Sequence, residues 1–220
     1  MTSRDWSFSW TLILCLSLPA WAQSVISARS GLIHFSEGSV FLDGQKIEQT
    51  FGRFDQMKDG SELRTEEGRA EVMLTPGMFL RLGENSEIRL VSGQLQDTRV
   101  ELLSGSVVVE SEKASANGQV TILYGAYQVQ PREPGRYRID WAPWQLRVEQ
   151  GKAEVFHGLA SIVVDTGYVL PFSGDLVAQK AFFDERADAL DGWNKARTDW
   201  ISQNNNDTGN STDLSAARIM

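Results

Sequence analysis

The chain has 220 residues, 41% of them hydrophobic, 10% aromatic and 23% charged, a balance that builds a globular core and excludes collagen-like and intrinsically disordered classes. Twenty-nine acidic against twenty-one basic residues leave a net charge of -8. Such an excess repels phosphate backbones and anionic lipid surfaces, so nucleic acid is not an expected partner.

Residues 1–22 read as a signal peptide. Arg4 supplies a weak positive start, Thr11 to Leu18 a short apolar run, and Ala20-Trp21-Ala22 places small residues at the two positions a signal peptidase reads. The run is shorter than the roughly 20 residues that span a bilayer, so cleavage after Ala22 is expected, with no stable membrane insertion afterwards. The expected location is periplasmic or secreted. Cys15 is the only cysteine and leaves with the signal. Residues 23–220 then hold no thiol, disulfide or thiolate metal ligand, and stability must come from the core, which at this size can bury roughly 70% of the unfolded chain's surface.

From residue 23 to about 174 short apolar-polar alternations are broken by glycine every ten to fifteen positions, which predicts an all-β domain rich in hairpins. Clear strands are Val40-Phe41-Leu42, Ala70 to Leu74, Phe79 to Leu82, Val107 to Val109, Tyr137 to Trp141 and Trp144 to Val148. One pattern recurs six times, with two apolar residues two apart, then two turn residues, a glycine and a further apolar position. Its copies begin at Ile33, Val72, Ile88, Val100, Leu146 and Ile162. The glycine fits a turn that closes with φ > 0, and the odd spacing across it resets the alternation as a hairpin or bulged corner does. The starts have no fixed period, so a two-layer sandwich and a β-solenoid-like stack both remain open. Over residues 175–202 the grammar changes to an amphipathic α-helix, with Leu176, Phe183, Leu190, Trp193 and Trp200 on one stripe. Residues 203–220 are polar without periodicity and read as a disordered tail.

Candidate chemistry is sparse. His34 and His157 are the only histidines, far apart and outside any metal-binding spacing, so no metal and no cofactor is expected. There is no Gly-x-Ser-x-Gly elbow, phosphate loop or cysteine nucleophile, so no catalytic residue is assigned. Asp184, Asp188 and Asp191 stand at helical spacing and read as a solvated helix face.

The informative constellation is aromatic and basic: Tyr124, Tyr127, Arg132, Arg136, Tyr137, Arg138, Trp141 and Trp144 within 21 positions. Tyr, Trp and Arg dominate binding hot spots and stack on sugar rings. Tyr124, Tyr127, Arg132, Arg136, Arg138 and Trp144 are therefore the candidate partner-binding residues. Tyr137, Ile139 and Trp141 read as core, and Arg136 and Arg138 as pointing to solvent beside Glu133, Asp140 and Glu149. Phe183, Trp193 and Trp200 form a candidate helix face, buried on the chain's own domain or on a partner.

The segment from about Gly38 to Phe156 resembles the FecR domain family of extracytoplasmic proteins. The resemblance rests on the ordered succession Asp59 to Thr65, Gly68 to Leu74, Pro76-Gly77, Leu80-Arg81-Leu82, Asn85 to Ile88 and Leu102 to Val107. It implies an all-β domain outside the cytoplasmic membrane; founding members of the family relay the state of an outer-membrane transporter to a sigma factor. Asp191 to Arg197 is similar to the Trp-and-Arg helical tail of some secreted members. This chain shows neither the anti-sigma domain nor the membrane helix that precede the β domain in the founding members. The expected function is a non-enzymatic binding or scaffold module at the bacterial cell envelope, with an unknown envelope protein or glycan as partner. The alternatives are an envelope signal sensor acting through a membrane partner and a carbohydrate-active enzyme with an unmarked carboxylate pair.

Overall fold

In a computed structural model the alternating segments become strands of one sheet. The structure describes residues 29–48, 54–112, 120–183 and 188–216, with only the backbone described from residue 205 onward. The signal segment, residues 1–22, lies outside the described residues. The strands are β1 (Leu32–Leu42), β2 (Gln45–Lys46), β3 (Glu62–Thr75), β4 (Met78–Leu82), β5 (Glu87–Gln94), β6 (Asp97–Ser104), β7 (Ser106–Ser111) and β8 (Val120–Tyr124). They continue with β9 (Tyr127–Pro131), β10 (Gly135–Asp140), β11 (Gln145–Gln150), β12 (Lys152–His157), β13 (Ala160–Asp165), β14 (Tyr168–Pro171) and β15 (Gln179–Lys180), before helix α1 (Ala189–Ala216).

The strand order is β13-β12-β9-β8-β6-β5-β3-β4-β7-β10-β11-β14-β15, with β1 along β3 and β2 on β1. Among the described residues only β6 and β8 pair in parallel. A stack of solenoid rungs needs parallel neighbours, so the alternation belongs to antiparallel hairpins. The path also folds back on itself. β13 and β14 stand near opposite ends of it, yet only Thr166 and Gly167 separate them in sequence. Val164 and Leu170 share one buried cluster with Leu63, Leu80, Ile122 and Ile139, so both halves of the sheet enclose a single core.

The fold-over is built at the long strands. β3 pairs β5 through Glu62 to Arg64 and β4 through Ala70 to Thr75, so it passes from one half of the sheet to the other. At the crossing Gly68 lies opposite Gly38, where the β1–β3 register shifts. A Cβ on Gly68 would stand 2.5 Å from the Ser39 nitrogen, and one on Gly38 (φ +72°) 2.2 Å from the Glu67 carbonyl oxygen. A bulge with two bare backbones is how a strand turns a corner between layers.

The helix begins later than expected. It starts at Ala189, not near residue 175, because Asp188 caps it, its Oδ1 accepting from the Leu190 and Asp191 amides at 3.0 Å each. Leu176 belongs instead to an extended segment that packs on the core and leads into β15 against β14. At the other end the helical backbone runs to Ala216. Among the described residues no helix is long and apolar enough to cross a membrane.

Candidate functional site

Two surfaces gather the chemistry-bearing residues. The first is the outer face of the sheet beneath α1. Register places Glu71, Arg81, Val108, Arg138 and Arg147 side by side across β3, β4, β7, β10 and β11. Alternation turns them away from the core, and α1 covers them. Glu71, fully buried, accepts from Arg81 Nε at 2.7 Å, Arg197 Nη2 at 2.8 Å and the His34 ring at 2.8 Å. Arg81, 1% exposed, also meets Glu110 and donates to Asn194 Oδ1 and to Thr198 Oγ1, the latter at 3.0 Å. Arg138 reaches Asp140 at 2.7 Å, Asp188 at 2.8 Å and Asp191 at 2.6 Å, while Arg147 reaches Asp191 at 3.2 Å.

These contacts fix the charge states. Burial alone would raise the Glu71 pKa, but hydrogen bonds from His34, Arg197 and Arg81 outweigh it and hold the group at about 2. Arg138 hydrogen bonding likewise brings Asp188 down to about 2. Burial works against the Arg138 cation, yet Asp188, Asp140 and Asp191 raise its pKa above the usual guanidinium value. Glu149 is pushed up, first by burial and then by Asp191, against the pull of Arg136 and Arg147.

Several expectations are corrected here. Arg138 does not point to solvent; it is 7% exposed and locked under α1. Arg136 is held against Glu149. Asp191 is buried in the interface and is no solvated helix residue. The helix does not dock through an aromatic stripe, because its inward face is Leu190, Asp191, Asn194 and Arg197. Trp193 lies half-buried with its ring 6.3 Å from Phe35, and Trp200 is 52% exposed with the Arg197 guanidinium 4.9 Å from its ring. Phe183 precedes the helix and stands half-buried 5.8 Å from the Arg147 guanidinium.

The second surface is aromatic and open. The β10–β11 connection is the turn Trp141-Ala142-Pro143-Trp144, with a cis Ala142–Pro143 bond. It raises both indoles out of the strands that hold Tyr137, Ile139, Leu146 and Val148 in the core. Trp141 is therefore 39% exposed and no core residue, and Trp144 is 56% exposed. Both line a cavity of about 190 Å³ together with Tyr124, Gly125, Glu101, Leu102 and Leu103. Tyr124 makes near-perpendicular contacts with Trp141 (5.4 Å, 82°) and Trp144 (6.3 Å, 84°), and the two indoles stand 5.7 Å apart at 61°. Phe172 backs Tyr124 at 5.0 Å. The Tyr124 hydroxyl is buried with no hydrogen-bond partner among the described residues. Burial, with the Asp140 charge second, pushes its pKa up to about 12, so the phenol stays neutral.

Of the sequence candidates, Tyr124 and Trp144 meet at this cavity. Tyr127 lies beyond it, 8% exposed and stacked on His157 at 4.4 Å, its hydroxyl accepting from the Gly174 amide at 2.8 Å. Arg132 pairs with Glu154 at the sheet surface. Trp141 and Glu101 are the lining residues that strand periodicity misplaces or does not single out. The signal for Trp141 is the Ala-Pro pair between two tryptophans, since proline at that position marks a turn and takes its neighbours out of the strand. Among the described residues no three histidine, cysteine or acidic side chains gather as a metal site.

Residues 61–166 match the family model described as FecR protein. Two crystal structures from Parabacteroides distasonis ATCC 8503, both named "putative anti-sigma factor", are similar in shape at 13% and 12% identity, with TM-scores of 0.46 and 0.45. In each case the match covers 55% of this chain and 59% of the other, so this chain spans less than two thirds of those relatives' length. None of the curated proteins compared matches it.

Proposed function

We propose, from the match of residues 61–166 to the FecR family model, that the chain is a non-enzymatic extracytoplasmic binding or scaffold module of the bacterial cell envelope. The observation that carries this reading is the aromatic cavity of Tyr124, Trp141 and Trp144 on a rigid β platform. Exposed indoles are costly in water and gain most when a partner covers them. Function sits in such sites grafted on a scaffold, on turns held by strands. The cavity has one lining carboxylate, Glu101, which is bound to Arg89 at 2.9 Å. Glycoside hydrolysis needs a converging pair, so the binding reading is favoured over an enzyme.

A second reading, a sensor that relays an envelope signal to a membrane partner, draws support from the charge-held helix, a discrete element that could change place. The two readings separate in one experiment. Envelope extract is passed over immobilised full chain, Trp144→Ala and Trp200→Ala. The binding-module reading expects the same partner on wild type and Trp200→Ala, with loss on Trp144→Ala. Undiminished capture by Trp144→Ala together with loss on Trp200→Ala overturns it in favour of the helix as the partner-binding element.

A further inference from the structure

Among the described residues the sheet ends at three strands, β1, β15 and β13. Two of these edges are blunted. β1 carries two register shifts and is part-covered by β2, and β15 is two residues long. β13 runs six residues, Ala160–Asp165, pairs with β12 without a register shift, and holds neither proline nor lysine. No strand lies beyond it among the described residues.

The hairpin fixes which backbone groups this edge offers. β12 and β13 are joined by the two-residue loop Gly158-Leu159, with Gly158 at φ +60°, so the flanking His157 and Ala160 form a hydrogen-bonded pair and every second pair follows suit. Ala160, Ile162 and Val164 therefore bond β12, and the N–H and C=O groups of Ser161, Val163 and Asp165 face outward. The Lys152 carbonyl agrees, since it points away from Asp165 and accepts from the Arg132 amide at 2.8 Å. Val164 is fully buried, which puts the side chains of Ser161, Val163 and Asp165 on the solvent face, with Val163 53% exposed.

We infer that β13 is a self-association edge, through which two copies of this chain pair antiparallel about a two-fold axis at Val163. The strand is self-complementary in that register. Val163 meets its own mate and Ser161 meets Asp165, so each outward amide finds a carbonyl. Centring on Ile162 instead would set Asp165 against Leu159 in the turn and lose its bonds. The side chains fit as well. Val163 packs on Val163 at the axis, flanked by Glu154 of each copy, and the Ser161 hydroxyl can donate to the Asp165 carboxylate. Thus no like charges stand directly opposite, in a chain whose net charge of -8 otherwise repels a second copy.

Sedimentation velocity of the full chain, from micromolar to submillimolar concentration, should show a monomer–dimer equilibrium. Val163→Glu, which lines up four carboxylates across the axis, should stay monomeric with unchanged circular dichroism, whereas Trp144→Ala should dimerise as wild type does. Cross-linking reads the register in a Cys15→Ser background, which leaves no other thiol. Oxidised with copper–phenanthroline, Val163→Cys should form a disulfide dimer, its Cα atoms being about 5.5 Å apart. Leu159→Cys, although more exposed, should not, because eight residue steps of about 3.4 Å put it about 27 Å from its mate. A wild-type chain that stays monomeric overturns the inference, as does equal cross-linking of Leu159→Cys. A dimer that survives Val163→Glu but is lost in Trp144→Ala also overturns it, moving the contact to the aromatic cavity. Should Val163→Glu fail to fold, the two cysteine variants decide alone.

Discussion

Replacing Glu71 by Gln removes a charge from the most enclosed point of the helix–sheet interface while keeping the side chain's shape. Glu71 is fully buried and accepts from His34, Arg81 and Arg197. Its pKa stands at about 2 in the fold against an ordinary 4.5. At about 1.4 kcal/mol per unit of pKa, that gap corresponds to about 3 kcal/mol of stability at neutral pH. The figure agrees with the roughly 3–5 kcal/mol lost when one partner of a buried ion pair is removed and the other left behind. Because the folded pKa is depressed, the contribution is complete above about pH 4.5 and is lost as pH falls toward 2. The amide cannot titrate, so the difference between wild type and Glu71→Gln should shrink from about 3 kcal/mol at pH 7 to about 1 kcal/mol at pH 3. Urea denaturation followed by tryptophan fluorescence and far-ultraviolet circular dichroism at a series of pH values measures it. A difference below about 1 kcal/mol at pH 7, or one that stays constant down to pH 3, would refute the view that Glu71 is a charged keystone of α1 docking.

Asp188→Ala removes the helix cap and the bidentate partner of Arg138. The carboxylate is half exposed, so the loss should be near the roughly 1 kcal/mol of a cap, visible as reduced helical dichroism with the β signal intact. Gly151 (φ +87°) has no room for a methyl, since a Cβ would stand 2.3 Å from the Tyr137 hydroxyl and 2.6 Å from the Pro134 carbonyl oxygen, whereas Gly158 (φ +60°) meets nothing within 4 Å. Gly158→Ala should cost about 1 kcal/mol from backbone conformation alone and Gly151→Ala clearly more; equal melting temperatures would contradict the packing. Trp144→Ala, at an exposed turn, should leave stability within about 0.5 kcal/mol of wild type, so a large fall in melting temperature would show that the indole belongs to the core.

Legibility in the sequence followed the physics of alternation. Four of the six repeated patterns end strands at Gly77, Gly105, Gly151 and Gly167, all with positive φ. Gly38 instead forms the bulge inside β1, and Gly93 lies within β5 near its end. Core residues such as Val72, Leu80, Val107, Tyr137 and Leu146 are where period two places them. Alternation reports only which residues face the same way, and it cannot tell an outer face that meets water from one that meets a helix. That is why Arg138 and Asp191, polar at polar positions, read as solvated and are buried. The helix start was hidden for a related reason, since Leu176 and Phe183 fall on a helical period by coincidence while their actual partners are the β core and Arg147. Two of the three rings that line the cavity, Tyr124 and Trp144, were legible, because hot-spot chemistry marks residue type. Trp141 continued a strand pattern through a turn that the following Ala-Pro ends.

The way α1 is fastened also decides what its departure would leave behind. Most docked helices bury a greasy stripe, and pulling one away uncovers a surface that sticks to other chains. Here the underside is Glu71, Arg81, Glu110, Arg138, Arg147 and Glu149, groups that water solvates readily once the cover is gone. A departing helix would therefore uncover mainly charged side chains, not a broad apolar face.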